Sequence, residues 1–225
     1  MLKLIIFDLD RTIFDWDRTQ EIAKAKVNQL LKPYCNPKQF WQYYHAKHDV
    51  IRQQLSVEAY RIERYLRPLQ QLGIDDFKLA EQLNQCFVEH ALTSGLFCPA
   101  AEEVLDECKK LDVKIVLLSN GLSKGQALKI KTLNLNRWFD AYFISEEQGV
   151  AKLEPQAFLN ICQKFNVQPQ QCLMVGDHLE LDIVPAHDLG MQVFWINSQA
   201  KEKNTDFPAY ELADLTALIH TKFNL

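Results

Sequence analysis

A doubly wound parallel α/β sheet, broken by an all-helical insert, is the architecture this sequence predicts. Three observations point to it. Short apolar runs recur along the chain, at Leu2–Phe7, Val113–Leu118, Ala141–Ile144, Cys172–Val175 and Val193–Ile196. Helical patterns separate the last four runs, and strands alternating with helices build parallel sheets. The long stretch between the first two runs holds helical patterns and no strand-like run.

In chain order, Leu2–Phe7 is apolar but for Lys3, and its unbroken run Leu4–Phe7 fits a strand buried on both faces. It runs directly into Asp8-Leu9-Asp10-Arg11-Thr12. Helical patterns then cover Thr19–Leu31, Pro37–Gln54, Val57–Leu72 and Asp76–Leu92, with Phe40, Tyr44, Ile51 and Leu55 near helical spacing. Pro33, Pro37 and Gly73 punctuate them. Glu102–Leu111 sets Val104, Leu105, Cys108 and Leu111 on one stripe before the second strand. Gln126–Leu133, Gln156–Phe165 and Leu181–Leu189 follow the same logic between later strands. The polar stretch Ser198–Asp206 reads as a surface loop. The expected organisation is a core domain from residues 1–15 and 96–225, with a separate helical domain over residues 16–95.

Composition narrows the function. The chain has 225 residues, and its 48% hydrophobic content can fill a core. Lys and Arg total 25 against 29 Asp and Glu, a net charge of −4, which argues against a general nucleic-acid binder. A small anionic substrate needs only a few local cations and stays open. Six scattered cysteines form no CxxC pair, so they give no zinc signature and read as reduced thiols of a cytoplasmic protein. No apolar stretch approaches the roughly 20 residues of a membrane helix. The N-terminus reaches Asp8 before a signal-peptide core could form, so no membrane partner is expected.

The chemistry-bearing residues cluster at strand ends. Side chains two apart on an extended chain point the same way, so Asp8, Asp10 and Thr12 aim at one spot beyond the first strand. In open α/β sheets ligands bind there. Two carboxylates this close repel, and a cation between them relieves the repulsion. Paired hard oxygen ligands suit Mg²⁺. The alternative is a turn acid beside a helix N-cap. Ser119-Asn120-Gly121 ends the second strand at a helix start, where free N–H groups favour anions; a plain helix cap is the alternative. Lys152 lies in Gly149–Pro155, and a lone loop lysine is often just solvated. Gly176-Asp177, with Asp182 following, ends the fourth strand.

An acid pair, a strand-end Ser, a Lys and a final Gly-Asp…Asp, in that order, resemble the four motifs of the haloacid dehalogenase (HAD) superfamily. The resemblance covers residues 1 to 14 and about 97 to 225. It implies a Rossmann-like core with an inserted helical cap over the active site. It also implies a Mg²⁺-dependent phosphomonoester hydrolase working through an aspartyl phosphate. On that pattern Asp8 is the nucleophile and Asp10 the general acid/base. Ser119, Asn120 and Lys152 bind phosphate. Mg²⁺ is held by Asp8, the Asp10 backbone carbonyl and Asp177. Asp182 and Thr12 support the site from behind, Asp182 by bonding ligands or Lys152. Arg11, Leu153 and His178 depart from the usual motif residues, yet none removes a catalytic group; His178 reads as a loop residue.

Asp10 argues against dehalogenase members, which lack that second acid. Ile144–Pro155, Leu173–Asp177 with Leu181–Ile183, and Phe194–Asn197 look most like the bacterial pyrimidine 5′-nucleotidases of the helical-cap subfamily. The expected partner is a small phosphorylated metabolite, first a nucleoside 5′-monophosphate. Flavin mononucleotide, phosphoglycolate and sialic acid 9-phosphate are alternatives, as is a non-catalytic binding protein of the same fold. Trp16, Trp41, Tyr44, His45, His48, Arg52, Arg61 and Arg64 are candidates to meet substrate, though aromatics at helical spacing more often form core. The sequence leaves the oligomeric state open.

Overall fold

The structure is a computed structural model that describes residues 1–197 and 206–221, with the side chains of 47–54, 57, 58 and 220 outside the described set. The chain divides into two compact units, Met1–Trp16 with Gly95–Leu225, and Asp17–Ser94. Its elements run β1 (Leu4–Phe7), α1 (Trp16–Leu31), α2 (Pro37–Gln54), α3 (Val57–Gln71) and α4 (Phe77–Thr93). Then follow α5 (Ala101–Lys109), β2 (Lys114–Ser119), α6 (Ser123–Thr132), β3 (Ala141–Ile144), α7 (Ser145–Gln148) and α8 (Pro155–Phe165). The chain closes with β4 (Cys172–Gly176), α9 (Val184–Asp188), β5 (Gln192–Ile196), β6 (Ala209–Tyr210) and α10 (Asp214–Thr221).

The first unit is built on a six-stranded sheet in the order β3-β2-β1-β4-β5-β6, with each neighbouring pair parallel. β1 is central because all four of its residues are apolar and buried on both faces. One face packs on Val104, Leu105, Ile130 and Phe194, among others, and the other on Phe158, Ile161 and Met174. Phe7 pairs in register with Leu117 on one side and Val175 on the other. The strand order turns at β1, whose neighbours are β2 and β4, so the carboxyl ends of β2, β1 and β4 lie side by side. That is the place in a doubly wound sheet where ligands gather.

Asp17–Ser94 holds four helices with their own core. Asn36, Ser56 and Asp76 cap α2, α3 and α4 by accepting backbone N–H groups. Phe40, Tyr65 and Leu69 are fully buried; Phe40 and Tyr65 stack at 6.2 Å, and Tyr65 meets Phe87 at 6.5 Å. Trp16, read from sequence as the first residue of the insert, packs instead on the sheet unit's core. Where the chain leaves and re-enters the sheet unit, Phe14 bridges Phe97 and the Asp15 amide donates to Leu96 at 2.9 Å.

Two features depart from the sequence reading. β6 and α10 extend the sheet unit at its C-terminal end; β6 spans two residues, too short for any periodicity. The helix expected over Leu181–Leu189 is a π-helical turn at Leu179–Ile183 followed by α9. Most of the loop expected at Ser198–Asp206 lies outside the described residues.

Candidate active site

Asp8 follows β1 and is 4% exposed; its amide donates to Val175 at 2.9 Å. One carboxylate oxygen, Oδ1, accepts a short hydrogen bond from Lys152 Nζ. The other, Oδ2, is buried with no hydrogen-bond partner among the described residues. Lys152 is equally buried, and its ammonium also lies 2.6 Å from Asp182 Oδ1. The solvated-lysine alternative therefore does not hold. Asp182, fully buried, uses Oδ2 to accept the His178 amide at 3.1 Å, while His178 itself is exposed. Asp182 thus braces both Lys152 and the turn after β4.

The local sequence explains this placement. A Cβ on Gly176 would lie 2.5 Å from Asp182 Oδ2, so only glycine lets this carboxylate pass beneath the strand end. Asp177 follows, its carbonyl held by Trp195 Nε1 at 3.0 Å. The β1 loop turns at Arg11, which sits at φ +65°, a conformation that L side chains adopt at a cost. Thr12 is fully buried, and its hydroxyl has no partner among the described residues.

Carboxylate oxygens of Asp8, Asp177 and Asp182 lie within 4.8 Å of one another. Burial raises the Asp8 pKa above the carboxylate range, opposed by Lys152 and reinforced by the charges of Asp182 and Asp177. Burial, then Asp182, raises Asp177 to about 6, against the pull of Arg11. Burial lowers Lys152, but Asp182 and Asp8 outweigh it and hold the ammonium charged. One ammonium thus stands among three carboxylates. The surplus negative charge, the orphaned Asp8 oxygen and the all-oxygen donor set fit a hard divalent cation such as Mg²⁺.

Ser119 ends β2, 1% exposed, three residues before the Leu122 N-cap of α6, so it does not cap that helix. The Asn120 side chain accepts the Lys152 amide at 2.9 Å, tying the lysine loop to β2. The Gly121 amide donates to Ser145 Oγ at 3.0 Å and the Ser123 amide to Glu146 at 2.7 Å. These two helix-start donors are therefore already engaged.

Asp10 lies apart from the carboxylate trio in its bonding. Both its oxygens accept from Lys129 Nζ, at 2.7 and 2.8 Å, and Gln126 Nε2 approaches at 3.3 Å. Neither Gln126 nor Lys129 was legible as a site residue. The available signal was Gln126 itself, a polar residue on the stripe shared with Ile130 and Leu133.

Among the substrate candidates, Tyr44 is buried in the helical unit's core, and Trp41 donates to Asn28 at 2.7 Å. Arg64 lies over the rings of Tyr65 and Phe87 and donates to Asn84 at 2.9 Å. Arg61 and His45 are exposed. The His48 and Arg52 side chains lie outside the described residues.

A sheet whose central strand ends in a buried acid, with a buried lysine and two further acids behind it, defines a class. A profile of the haloacid dehalogenase-like hydrolase family matches residues 2–190, and the chain belongs to that family. The chain is 28% identical over 226 residues to the N-acylneuraminate-9-phosphatase of Mus musculus, covering 92% of this chain and 87% of that one. It is 28% identical over 195 residues to the glyceraldehyde 3-phosphate phosphatase of Pyrococcus abyssi, covering 87% and 81%. It is 25% identical over 222 residues to the pyrimidine 5′-nucleotidase PynA of Streptococcus pneumoniae, covering 93% and 90%. A solved structure, the HAD-hydrolase YfnB of Bacillus subtilis bound to magnesium, shares the fold at a TM-score of 0.78 and 19% identity, covering 100% and 99%.

Proposed function

We propose that the chain hydrolyses the phosphate ester of a small metabolite, with Asp8 as nucleophile and Asp10 as general acid and base. The observation that carries this reading is the buried Asp8, one oxygen bonded to Lys152 and the other without a partner. The lysine orients the carboxylate, and the unpartnered oxygen is left for a cation or a reacting phosphorus. Asp8 attacks phosphorus in line while Asp10 gives a proton to the departing alkoxide, forming an aspartyl phosphate. Asp10 then takes a proton from the water that releases phosphate. Ser119 Oγ and Lys152 Nζ supply hydrogen-bond donors to the phosphoryl oxygens. Asp8 and Asp177 would hold Mg²⁺, with Asp182 fixing the turn between them. When bound, the ion neutralises the phosphate charge and lowers its repulsion of the attacking carboxylate.

The three relatives are named for esters that share one chemical feature, a phosphate on a terminal CH₂–O carbon. We extend that class to this chain: a primary-alcohol phosphate of a hydroxylated metabolite, nucleoside 5′-monophosphates included. Burial of Tyr44 and Tyr65 in the helical unit's own core removes two aromatics from any base-stacking platform. Six free cysteines suit a reducing cytoplasm. The test is a panel of nucleotides, sugar phosphates, N-acylneuraminate 9-phosphate and phosphoglycolate, with Mg²⁺ and with excess chelator. Turnover of primary-alcohol esters that disappears with chelator is expected. Full activity in chelator contradicts the metal, and no turnover of any ester contradicts the hydrolase.

A further inference from the structure

Helix α6 buries two polar side chains three residues apart, Gln126 at 4% and Lys129 at 5% exposure. A buried lysine must be paired to be tolerated. Among the described residues the carboxylate that pairs with Lys129 is Asp10, through both oxygens. Its ammonium also lies 4.4 Å from the Trp16 ring centroid and 5.2 Å from that of Phe14. Ring faces and carboxylate together fix the ammonium, and the ammonium fixes the direction in which Asp10 presents its oxygens.

Gln126 Nε2 faces three acceptors: Ser119 Oγ at 2.8 Å, the Asn120 carbonyl at 2.9 Å and Asp10 Oδ2 at 3.3 Å. An amide nitrogen carries two protons, so the two shorter contacts take them. Exchanging the amide oxygen and nitrogen would set an oxygen against the Asn120 carbonyl and the Asp10 carboxylate, neither of which can donate, so the surroundings dictate the orientation. Because Ser119 Oγ accepts from Gln126, its own proton is not used there. Among the described residues that proton reaches the Asn120 carbonyl at 3.5 Å, a weak contact. Gly121, at φ +144°, makes this possible, since a Cβ there would lie 2.9 Å from Gln126 Nε2.

We infer that Gln126 and Lys129 are positioning residues for the reaction: Lys129 aims the Asp10 carboxylate at the leaving oxygen, and Gln126 turns the Ser119 hydroxyl into a donor for the phosphate. The inference rests on the roles proposed above for Asp10 and Ser119. It gives α6 a task that a merely structural helix lacks, and the two residues act on separable parts of the reaction.

Leaving-group dependence separates those parts. A primary-alkyl phosphate needs its leaving oxygen protonated, whereas 2,4-dinitrophenyl phosphate does not. Lys129→Met should slow single-turnover phosphoryl transfer from the alkyl ester by about 10²-fold, within the range for general acid catalysis. Transfer from the dinitrophenyl ester should change by less than about threefold, and Lys129→Arg should restore most of the alkyl rate. Gln126→Leu should raise KM and the inhibition constant of inorganic phosphate by about tenfold, the worth of one hydrogen bond, with leaving-group dependence unaltered. A folded Lys129→Met that slows both esters equally, or neither, overturns the role of Lys129. Unchanged phosphate affinity in Gln126→Leu overturns that of Gln126. Should either variant fail to fold, Lys129→Gln and Gln126→Met carry the same comparisons. A wild-type chain that hydrolyses neither ester refutes the hydrolase reading itself, before any variant is made.

Discussion

Gly176→Ala is the smallest change that tests how the site is assembled. The added methyl would lie 2.5, 2.6 and 2.7 Å from Oδ2, Cγ and Cβ of Asp182. Comfortable carbon contacts begin near 3.5 Å, so the carboxyl must retreat by roughly 1 Å. It has nowhere to go without loss, because Asp182 is fully buried, with Oδ1 in an ion pair 2.6 Å from the Lys152 ammonium and Oδ2 accepting the His178 amide at 3.1 Å. Overpacking costs about 1–3 kcal/mol. Losing one charge-assisted hydrogen bond adds about 1.5–3 kcal/mol. The sum, about 2.5–6 kcal/mol, is reduced by whatever β4 can yield, so about 3 kcal/mol is expected. For a domain of this size that lowers Tm by roughly 6–12 °C. Thermal melts monitored by circular dichroism read the stability, and kcat/KM on an alkyl phosphate reads the site. Activity should fall by about two orders of magnitude at a temperature where the variant is folded, since about 1.4 kcal/mol is tenfold. A variant with wild-type Tm and wild-type kcat/KM would refute the claim that Asp182 braces the site through this contact.

Two further outcomes follow from the same geometry. At φ +65°, Arg11 occupies a conformation that only glycine adopts freely, so Arg11→Gly should exceed Arg11→Ala in stability by about 1 kcal/mol in urea melts; both variants lose the same side chain, so equality would contradict the backbone argument. Asp140 accepts from the Ile115 amide at 2.9 Å and from Lys114 at 3.0 Å; burial raises its pKa, but these bonds and Lys109 outweigh it and hold it below 3.8. A depressed carboxylate stabilises fully above its unfolded value and loses that contribution as pH falls through its folded value. The wild-type advantage over Asp140→Asn, at most about 1 kcal/mol for so exposed a group, should therefore be present at pH 6 and shrink as the pH drops below the ordinary carboxylate range. An advantage independent of pH would contradict it.

The central strands were legible because they are buried: Leu4–Phe7 and Ile115–Leu118 contain no polar residue, and such runs have few other readings. Asp8, Ser119 and Asp177 were legible because each follows such a run. What escaped was whatever depends on contacts distant in sequence. Lys129 and Asp10 are 119 positions apart, and a lysine on a helix looks solvated until its partner is known. Trp195 holds the Asp177 carbonyl from the next strand, where an indole reads simply as core. The aromatics of the helical unit erred in the other direction. Tyr44 stood out as a ligand candidate by chemistry, yet its helical spacing from Phe40 already marked the buried stripe where it lies.

The central claim is that the Asp8 carboxylate forms a bond to phosphorus. Rapid mixing with a ³²P-labelled primary-alcohol phosphate and Mg²⁺, acid quench and peptide mapping test it directly. The account predicts a hydroxylamine-labile label on the peptide containing Leu4–Thr12, located at Asp8, formed at least as fast as turnover and absent from Asp8→Asn. Steady turnover with no labelled protein, or a label on another residue, would contradict it.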